Sequence, residues 1–296
     1  MSTSFQCTAF GKWILMGDHS VIRGYPSLVF PIPSRTLELK YTPGEHALVL
    51  DLKGDHGQEM QLLFWGVLER AFQLKNIPRP VFTGTLHVDS SLPVGAGMGA
   101  SAALCVALTR WLGHLGYVQE SEYFEFARSL EDLFHGESSG IDISVALSGQ
   151  GLRFVRNGER TEITPKWKPR WYISYSGKRG VTADAVNKVK DLLAKQPPVG
   201  QQIDLTMAKA VETAQNALLM ESESEGLQVL ADALNLGAEC FEKWGLNEGA
   251  PASHIAWLRE QGAIAVKPTG SGGGGYVISL WEKPPSAETL KNLIPC

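Results

Sequence analysis

Two hydrophobic periodicities divide the chain into predicted strands and helices. Runs rich in β-branched and aromatic residues are typical of strands, whereas apolar residues spaced by three and four predict amphipathic helices. Strands are predicted at Thr8–Met16, Thr36–Tyr41, Ala47–Leu52, Thr83–Val88, Ile143–Leu147, Leu152–Val155, Trp171–Tyr175, Ala263–Pro268 and Tyr276–Leu280. Helices are predicted at Gln58–Leu74, Ser101–Leu115, Glu120–Phe134, Thr182–Ala194, Ile203–Met220, Gly226–Trp244, Ala252–Gln261 and Ala287–Leu293. Because strands and helices do not alternate strictly, the predicted fold class is α+β.

A polar stretch from Asn157 to Arg170 is the predicted boundary between two domains. Thr164-Pro165 and Lys168-Pro169 interrupt regular structure there. Beyond this stretch the predicted helices outnumber the strands. We therefore expect one domain over residues 1–160 and a second over residues 161–296.

Composition narrows the class of partner. The chain of 296 residues is 44% hydrophobic and carries a formal net charge of -4, so it lacks the basic field that attracts nucleic acid or anionic membranes. No run reaches the roughly 18 apolar residues of a membrane span, and Met1 to Asp18 does not resemble a signal peptide, which predicts a cytoplasmic protein. Its four cysteines form no CxxC pair and its seven histidines no HExxH motif, so any metal is expected to be bound by oxygen. A small molecule is the expected partner.

A glycine-rich segment follows a predicted strand and opens a predicted helix. Backbone N–H groups at such a helix start can bind an anion, and glycines let the backbone approach phosphate closely. The segment predicts a phosphate-binding loop made of Pro93, Gly95, Ala96, Gly97, Met98, Gly99, Ala100 and Ser101. Its relaxed GxGxxA spacing also fits a dinucleotide-binding turn, although the flanking elements do not alternate as βαβ units, and a turn without any ligand is a third interpretation. A P-loop is excluded, because GxxxxGK[ST] is absent.

Two carboxylates and a lysine are candidates for phosphoryl transfer. Mg²⁺ in such sites takes one or two carboxylates or hydroxyls together with phosphate oxygens, which Glu131 and Ser101 could supply. The acceptor hydroxyl needs a carboxylate to orient it and a positive charge nearby, for which Asp142 and Lys12 are suitable. Taken singly, each is also consistent with a solvated helix face, a turn cap or a surface lysine.

The segment after Lys12 ends abruptly in a polar turn. Polar groups at a strand end can line a site. His19 could donate to a substrate oxygen or cap local structure, and Asp18 is equally open between the two roles.

Taken together, these segments resemble the GHMP kinase superfamily, which carries three ordered motifs. The first resembles the mevalonate kinase form GKxxLxGEHxVxxGxPxL and is matched over Gly11–Leu28, with Asp18 in place of the usual Glu. The second, PxGxGLGSSAA, is matched over Pro93–Ala103 with Met98 and Ala100 as departures. The third, KxTGxGGGGC, is matched over Lys267–Tyr276. Between them, Glu131 and His135–Asp142 resemble the family's E...HGxPSGxD, with Ser138 in place of Pro.

The resemblance implies a set of site residues. Asp142 and Lys12 are the implied catalytic residues, and Ser101 and Glu131 the implied Mg²⁺ ligands. The second motif and the glycines Gly272 and Gly273 of the third would bind ATP. The implied substrate-binding residues are Lys12, Asp18, His19, Ser139, Asp142 and Thr182.

The resemblance also implies a fold and a reaction. The fold is a ribosomal-S5-like amino-terminal domain followed by a ferredoxin-like carboxy-terminal domain. The reaction is ATP-dependent phosphorylation of the 5-hydroxyl of mevalonate by a monomer or homodimer. The Asp18-His19 pair favours this acceptor over phosphomevalonate. A sugar, homoserine or another small alcohol is the alternative acceptor, and a binding protein without activity or a dinucleotide oxidoreductase is the alternative class.

Overall fold

The computed structural model describes residues 3–54, 57–77, 82–135 and 138–296. The chain forms two compact units, each assembled from separate segments. Unit 1 comprises residues 1–12 and 31–149, and unit 2 comprises residues 13–30 and 150–296. The division of the chain into two domains at residue 160 stays a prediction. Residues 13–30 group with the later half of the chain in unit 2.

In its described residues, unit 1 combines a sheet with four helices. Its strands are β1 (Phe5–Met16) and β2 (Ser27–Ala47), both of which continue into unit 2, with β3 (Val49–Lys53) and β4 (Thr83–Ser90). Strand β4 pairs antiparallel with the later part of β2 and parallel with β3. The helices are α1 (Gly57–Lys75), α2 (Ala100–His114), α3 (Tyr123–His135) and α4 (Ile141–Ser148). A short 3₁₀ turn, Glu120–Glu122, precedes α3.

Helix α2 lies in the core of unit 1. Its run from Ala102 to Thr109 is fully buried, and small residues such as Ala102, Ala103 and Ala107 allow neighbouring elements to approach closely. Each Å² of apolar surface removed from water contributes about 25 cal/mol to stability, so this burial anchors the helix that follows the glycine-rich segment. The start of α2 is consequently held by its own core packing.

Unit 2 contains the remaining strands and helices. Residues Ser27–Val29 of β2 pair antiparallel with β5 (Leu152–Phe154), which pairs with β6 (Arg160–Glu162). A separate antiparallel sheet has the order β10 (Ile294–Pro295), β7 (Arg170–Tyr175), β9 (Tyr276–Trp281) and β8 (Ala265–Pro268). The helices are α5 (Thr182–Lys195), α6 (Pro197–Leu218), α7 (Glu223–Lys243), α8 (Ala250–Glu260) and α9 (Ala287–Leu290), and a 3₁₀ turn spans Ser20–Arg23.

The predicted α+β class is confirmed, and most predicted elements are present within a few residues of their predicted bounds. One element was predicted wrongly. The run Ile143–Leu147, expected to be extended, belongs to helix α4. Ile143, Val145 and Ala146 are all buried, and a short helix buried on several sides shows no polar face by which periodicity could distinguish it from a strand. Two further strands were not predicted: β6 lies inside the stretch expected to be irregular, and β10 is only two residues long. Strand β2 begins at Ser27, well before the predicted start at Thr36, although Pro31 and Pro33 lie within it.

Within the described ranges, no helix is both long and apolar enough to cross a membrane.

Candidate functional site

Lys12 and Asp142 form an ion pair in unit 1. Lys12 lies in β1 and Asp142 in the first turn of α4, and Nζ lies 3.2 Å from Oδ1. The backbone N–H of Lys12 donates to the carbonyl oxygen of Met98 at 2.9 Å, which ties β1 to the glycine-rich segment. Lys12 is buried, whereas the Asp142 side chain keeps 21% exposure. The ion pair therefore orients the Asp142 carboxylate and leaves part of it accessible.

Glu131 is a buried carboxyl close to this pair. It lies in α3 with 2% exposure, and the hydroxyl of Ser138 donates to its Oε2. Burial raises the pKa of Glu131 to about 8, the negative charge of Asp142 adds to the rise, and the Ser138 hydrogen bond and Lys12 oppose it. Ser138 is itself fixed, because its N–H donates to Asp132 Oδ1 at 2.7 Å. A cation near Glu131 would favour the ionised form that burial disfavours.

The glycine-rich segment leads directly into α2. Gly95, Gly97 and Gly99 have φ angles of 70°, 81° and 79°, a left-handed region that glycine adopts without steric cost. A Cβ at Gly99 would lie 3.1 Å from Lys12 Cγ, whereas one at Gly97 would meet nothing within 4 Å. Ser101 follows in the first turn of α2, partly buried. The loop thus passes beside Lys12 and ends at the positive end of a helix.

The segment that leads into α4 is described in part. Gly136 and Glu137 of the fourth motif lie outside the described residues. Ser139 is partly buried, and its Oγ accepts a long hydrogen bond, 3.4 Å, from the N–H of Ile141. Gly140, with φ 80°, immediately precedes α4 and so directs the helix turn that carries Asp142.

Asp18 lies in unit 2 and has no exposed surface. Its Oδ2 accepts from Lys267 Nζ at 2.8 Å, and its Oδ1 accepts from the N–H of Gly270 at 2.7 Å. Lys267 is also fully buried, and its Nζ lies 5.1 Å from the ring centroid of Phe241. Burial lowers the pKa of Lys267, and the charge of Asp18 opposes that effect. Both carboxylate oxygens of Asp18 therefore have a partner within unit 2.

His19 is held in an unusual conformation next to Asp18. Its φ of 52° is rare for a residue with a side chain, and such strain concentrates at functional positions. Nε2 lies 2.8 Å from the carbonyl oxygen of Ser271, which can only accept, so Nε2 carries the proton and Nδ1 is left as an acceptor. The ring packs against Phe241 and Trp244. Burial lowers the pKa of His19, although the Ser271 hydrogen bond opposes this, so the imidazole is neutral near pH 7.

A second glycine-rich segment, residues Gly270–Gly275, connects β8 to β9 and is called the glycine turn below. Positive φ angles occur at Gly270, Gly272, Gly273, Gly274 and Gly275. The N–H of Gly273 donates to the carbonyl of Leu246, and that of Gly275 to the carbonyl of Lys178. Thr182 is exposed as the first residue of α5, a short distance along the chain from Lys178. The glycine turn is thus fixed at several points by other parts of unit 2.

Sequence reasoning missed partners that determine this geometry. It noted Ser138 as a departure from the family pattern without predicting its hydrogen bond to Glu131, and it gave Lys267 no role. A lysine within the short apolar strand β8 is a usable signal, because a charge buried there requires a partner. The bidentate pair of Arg23 with buried Asp204 was also missed, and no local pattern links two residues 181 positions apart.

Comparison with known proteins finds matches to GHMP kinases. The model of the GHMP kinases N terminal domain matches residues 63–150. A mevalonate kinase of Thermococcus sibiricus is 28% identical over 92% of this chain and 88% of its own length. The structure of L. major mevalonate kinase in complex with R-mevalonate superposes with a TM-score of 0.80 at 22% identity, covering 98% of this chain and 90% of that one. Lactococcus lactis galactokinase complexed with galactose superposes with a TM-score of 0.72 at 14% identity, covering 94% and 85%.

Over residues 63–150 the chain carries a GHMP kinases N terminal domain, and its mixed α+β fold with two sheets matches the mevalonate kinase and galactokinase structures. It is an ATP-dependent small-molecule kinase that resembles the mevalonate kinases. The expected family and enzyme class are confirmed.

Proposed function

We propose that this protein transfers the γ-phosphoryl group of ATP to the 5-hydroxyl of mevalonate and so forms 5-phosphomevalonate. The observation that carries the proposal is the ion pair between Lys12 Nζ and Asp142 Oδ1, 3.2 Å apart and beside buried Glu131. The curated mevalonate kinase relative, similar over 92% of this chain, supports mevalonate as the acceptor.

Asp142 and Lys12 are the proposed catalytic residues. Asp142 orients the acceptor hydroxyl and can accept its proton, and the charge of Lys12 stabilises the negative charge that develops on the attacking oxygen. Phosphoryl transfer through a loose transition state needs little base assistance, so positioning is the larger part of the contribution of Asp142. The exposure that its carboxylate keeps is consistent with contact to a substrate.

Mg²⁺ is the proposed metal, with Glu131 and Ser101 as its protein ligands. The donor set fits, because Glu131 is a buried carboxyl whose ionised form a cation would stabilise, and Mg²⁺ takes few protein oxygens when phosphates and water complete its shell. When bound, the ion would neutralise charge on the transferred phosphoryl group. Glu131 would then act as an anion despite its burial.

The proposed ATP-binding residues belong to two glycine-rich segments. The first comprises Pro93, Gly95, Ala96, Gly97, Met98, Gly99, Ala100 and Ser101, at the start of α2. Gly272 and Gly273 of the glycine turn are the other proposed ATP-binding residues. The N–H of Gly273 already donates to the carbonyl oxygen of Leu246, so it is not free to bind the nucleotide. Gly273 would instead contribute by allowing the backbone to turn at this position.

The remaining proposed substrate-binding residues are Asp18, His19, Ser139 and Thr182. His19 retains Nδ1 as an acceptor for a substrate hydroxyl. Both carboxylate oxygens of Asp18 are bonded within the protein, so Asp18 would act on the site indirectly. We further propose a cytoplasmic enzyme that acts as a monomer or homodimer.

Another small alcohol is the second candidate acceptor. The fold similarity to a galactokinase favours testing other alcohols, because one fold can serve different substrates. The departures from the family motif at Asp18 and Ser138 favour it too, because Ser138 bonds to Glu131 and Asp18 to Lys267. Phosphomevalonate, a sugar and homoserine are the acceptors to compare.

The test is ADP release measured with mevalonate, phosphomevalonate, galactose and homoserine. We expect kcat/KM to be highest for mevalonate by at least about 100-fold, which corresponds to roughly 2.7 kcal/mol of differential transition-state binding. A higher kcat/KM for one of the other alcohols would replace mevalonate as the substrate.

The catalytic assignment is tested separately with Asp142→Asn. We expect kcat to fall by at least about 100-fold while the Kd for ATP changes little, because the carboxylate faces the acceptor. Asp184→Asn is the matched control, since Asp184 is also an acid in the first turn of a helix but is exposed. If Asp142→Asn retained most of the wild-type kcat at saturating substrates, the assignment of the site would be wrong.

A further inference from the structure

The buried ion pair between Asp18 and Lys267 requires an explanation. Neither side chain has any exposed surface, and Oδ2 and Nζ are 2.8 Å apart. Removing two charges from water costs several kcal/mol per ion, and apolar residues of similar size often stabilise a protein as well or better. A contribution to stability alone is therefore a weak account of this pair.

The second oxygen of Asp18 connects the ion pair to the glycine turn. Oδ1 accepts from the N–H of Gly270 at 2.7 Å, and the neighbouring His19 donates through Nε2 to the carbonyl oxygen of Ser271 at 2.8 Å. Two consecutive residues that follow β1 thus bind two consecutive residues of the glycine turn. Lys267, in β8, holds the carboxylate in the orientation that aims Oδ1 at Gly270.

The glycine turn needs such a constraint to adopt one conformation. Five of its six residues are glycines with positive φ, and glycine loses more conformational freedom on ordering than any other residue. Within the part of the chain that the structure describes, the N–H groups of Ser271, Gly272 and Gly274 donate to no other residue. Successive free N–H groups in such a turn form a concave anion-binding site.

We propose that Asp18 is a positioning residue, which fixes the glycine turn through Gly270 so that the N–H groups of Ser271, Gly272 and Gly274 are arranged for a nucleotide phosphate. Lys267 holds the Asp18 carboxylate in the orientation that this contact requires. The inference rests on the proposed function, because it takes ATP as the ligand of the turn. It assigns to Asp18 an effect on nucleotide affinity, in place of direct contact with the acceptor alcohol.

The experiment separates the hydrogen bond to Gly270 from the ion pair. Asp18→Asn combined with Lys267→Met removes both charges, yet the Asn oxygen can still accept from Gly270. Asp18→Ala combined with Lys267→Met removes the same two charges and also the acceptor. Neither double variant contains an unpaired buried lysine, which is why both are expected to fold, whereas Asp18→Asn alone would leave Lys267 without its counter-ion.

We expect the two double variants to differ in nucleotide binding. By isothermal titration with a non-hydrolysable ATP analogue, the Ala variant should bind at least about 10-fold more weakly than the Asn variant, which should remain within about 3-fold of wild type. In steady-state assays the Ala variant should show a raised KM for ATP and an unchanged KM for the acceptor. A purely structural role would not separate these two constants.

The outcomes also distinguish the inference from the proposed function. If wild type binds the analogue and both double variants bind it equally well, the positioning role is wrong and the kinase assignment stands. A raised KM for the acceptor alone would return Asp18 to direct substrate contact and likewise overturn the inference. If wild type binds no ATP analogue, the proposed function fails. Thermal unfolding of both double variants checks that each one is folded at the assay temperature.

Discussion

Glu131 is a carboxyl group whose surroundings favour its protonated form. Burial raises its pKa to about 8 from an ordinary value of 4.5, so between these values the folded protein binds a proton that the unfolded chain has released. Stability contributed by this proton is therefore present at low pH and is lost as pH rises from 4.5 to about 8. In the absence of a cation, Glu131 opposes folding at neutral and alkaline pH.

Glu131→Gln is accordingly expected to stabilise the protein at alkaline pH when nucleotide and divalent ions are absent. The expected gain in the free energy of unfolding over wild type is on the order of 2 to 4 kcal/mol at pH 8.5, with a smaller difference at pH 5. Urea unfolding in EDTA at several pH values measures it. If the free energies of unfolding of the two proteins changed in parallel with pH, the Glu131 carboxyl would be ionised in the folded state at all of these pH values.

Ser138 is the donor that keeps Glu131 in place. Its hydroxyl donates to Oε2 of Glu131 and accepts from the N–H of Gly140 at 3.1 Å. Ser138→Ala leaves a buried carboxyl oxygen without that donor, so we expect a loss of about 1 to 2 kcal/mol in stability and a several-fold higher Mg²⁺ concentration for half-maximal activity. Ser138→Thr, which retains a hydroxyl, should restore both.

A serine in α3, the helix that carries Glu131, provides the control for Ser138→Ala. The hydroxyl of Ser129 donates to the backbone carbonyl of Glu125 on an exposed face of α3. Ser129→Ala should change the free energy of unfolding by less than about 0.5 kcal/mol and leave the Mg²⁺ dependence unaltered. If Ser138→Ala behaved in the same way, the Ser138 hydrogen bond would have no part in holding Glu131.

At the residue scale, the sequence reveals the charged groups better than their partners. Lys12, Glu131 and Asp142 stand out because a lysine and two acids accompany a glycine-rich helix start. The pairing of Asp18 with Lys267 joins residues 249 positions apart, and it depends on the turn after β1 meeting β8 in the folded protein. No local spacing carries that information, so a buried lysine in an apolar strand is the one available sign.

At the scale of elements, α4 shows why a short apolar run is ambiguous. Its eight residues lie between Gly140 and Gly149, which both have the left-handed conformation. Glycines in this conformation flank helices as readily as they connect strands. The longer elements were predictable because their apolar faces repeat over several turns. In α4 the difference matters for function, since the helix conformation places Asp142 in its first turn.

Gly140→Ala tests whether this glycine sets the start of α4. An added Cβ would lie 2.7 Å from Phe124 Cζ and 3.3 Å from Arg128 Cδ, in addition to the left-handed φ of 80°. We expect stability to fall by about 2 to 4 kcal/mol and kcat to fall about 10-fold or more, because α4 must shift and Asp142 shifts with it.

Gly116→Ala is the matched control for the backbone cost alone. Gly116 has a φ of 84°, and a Cβ there would meet nothing within 4 Å. It should lose about 1 to 2 kcal/mol of stability and retain wild-type kcat. Equal kcat values for the two variants would mean that Gly140 does not control the position of Asp142.

At the scale of the whole molecule, the chain passes between its two units three times. Residues 13–30 belong to unit 2 although the residues on both sides of them belong to unit 1. Local composition marks the polar stretch near residue 160, and periodicity marks β1 as a strand. Neither signal can indicate that one strand contributes to two units, because that depends on pairing partners far along the chain, such as Ser27–Val29 with β5.

Residues 13–30 supply a large share of the apolar packing of unit 2. The ring centroid of Trp13 lies 4.9 Å from that of Trp171, edge to face, and 5.4 Å from that of Phe30. The side chains of Leu15, Met16 and Leu28 are also fully buried. At about 1.5 to 3 kcal/mol for each buried large apolar side chain, their removal costs on the order of 10 kcal/mol, which is comparable to the whole stability of a domain. A fragment that lacks them is expected to remain unfolded.

We therefore predict that a fragment of residues 151–296 fails to fold, whereas the same fragment preceded by residues 13–30 does fold. Val29 lies opposite Leu152 in the antiparallel pair of β2 and β5, so Phe30 can be joined to Gly151 by a two-residue Asn-Gly turn, which suits a tight hairpin. Cooperative thermal unfolding and dispersed NMR signals should appear only in the joined chain. Cooperative unfolding of fragment 151–296 alone would show that its own helices and four-stranded sheet form a sufficient core, and that residues 13–30 are dispensable for its stability.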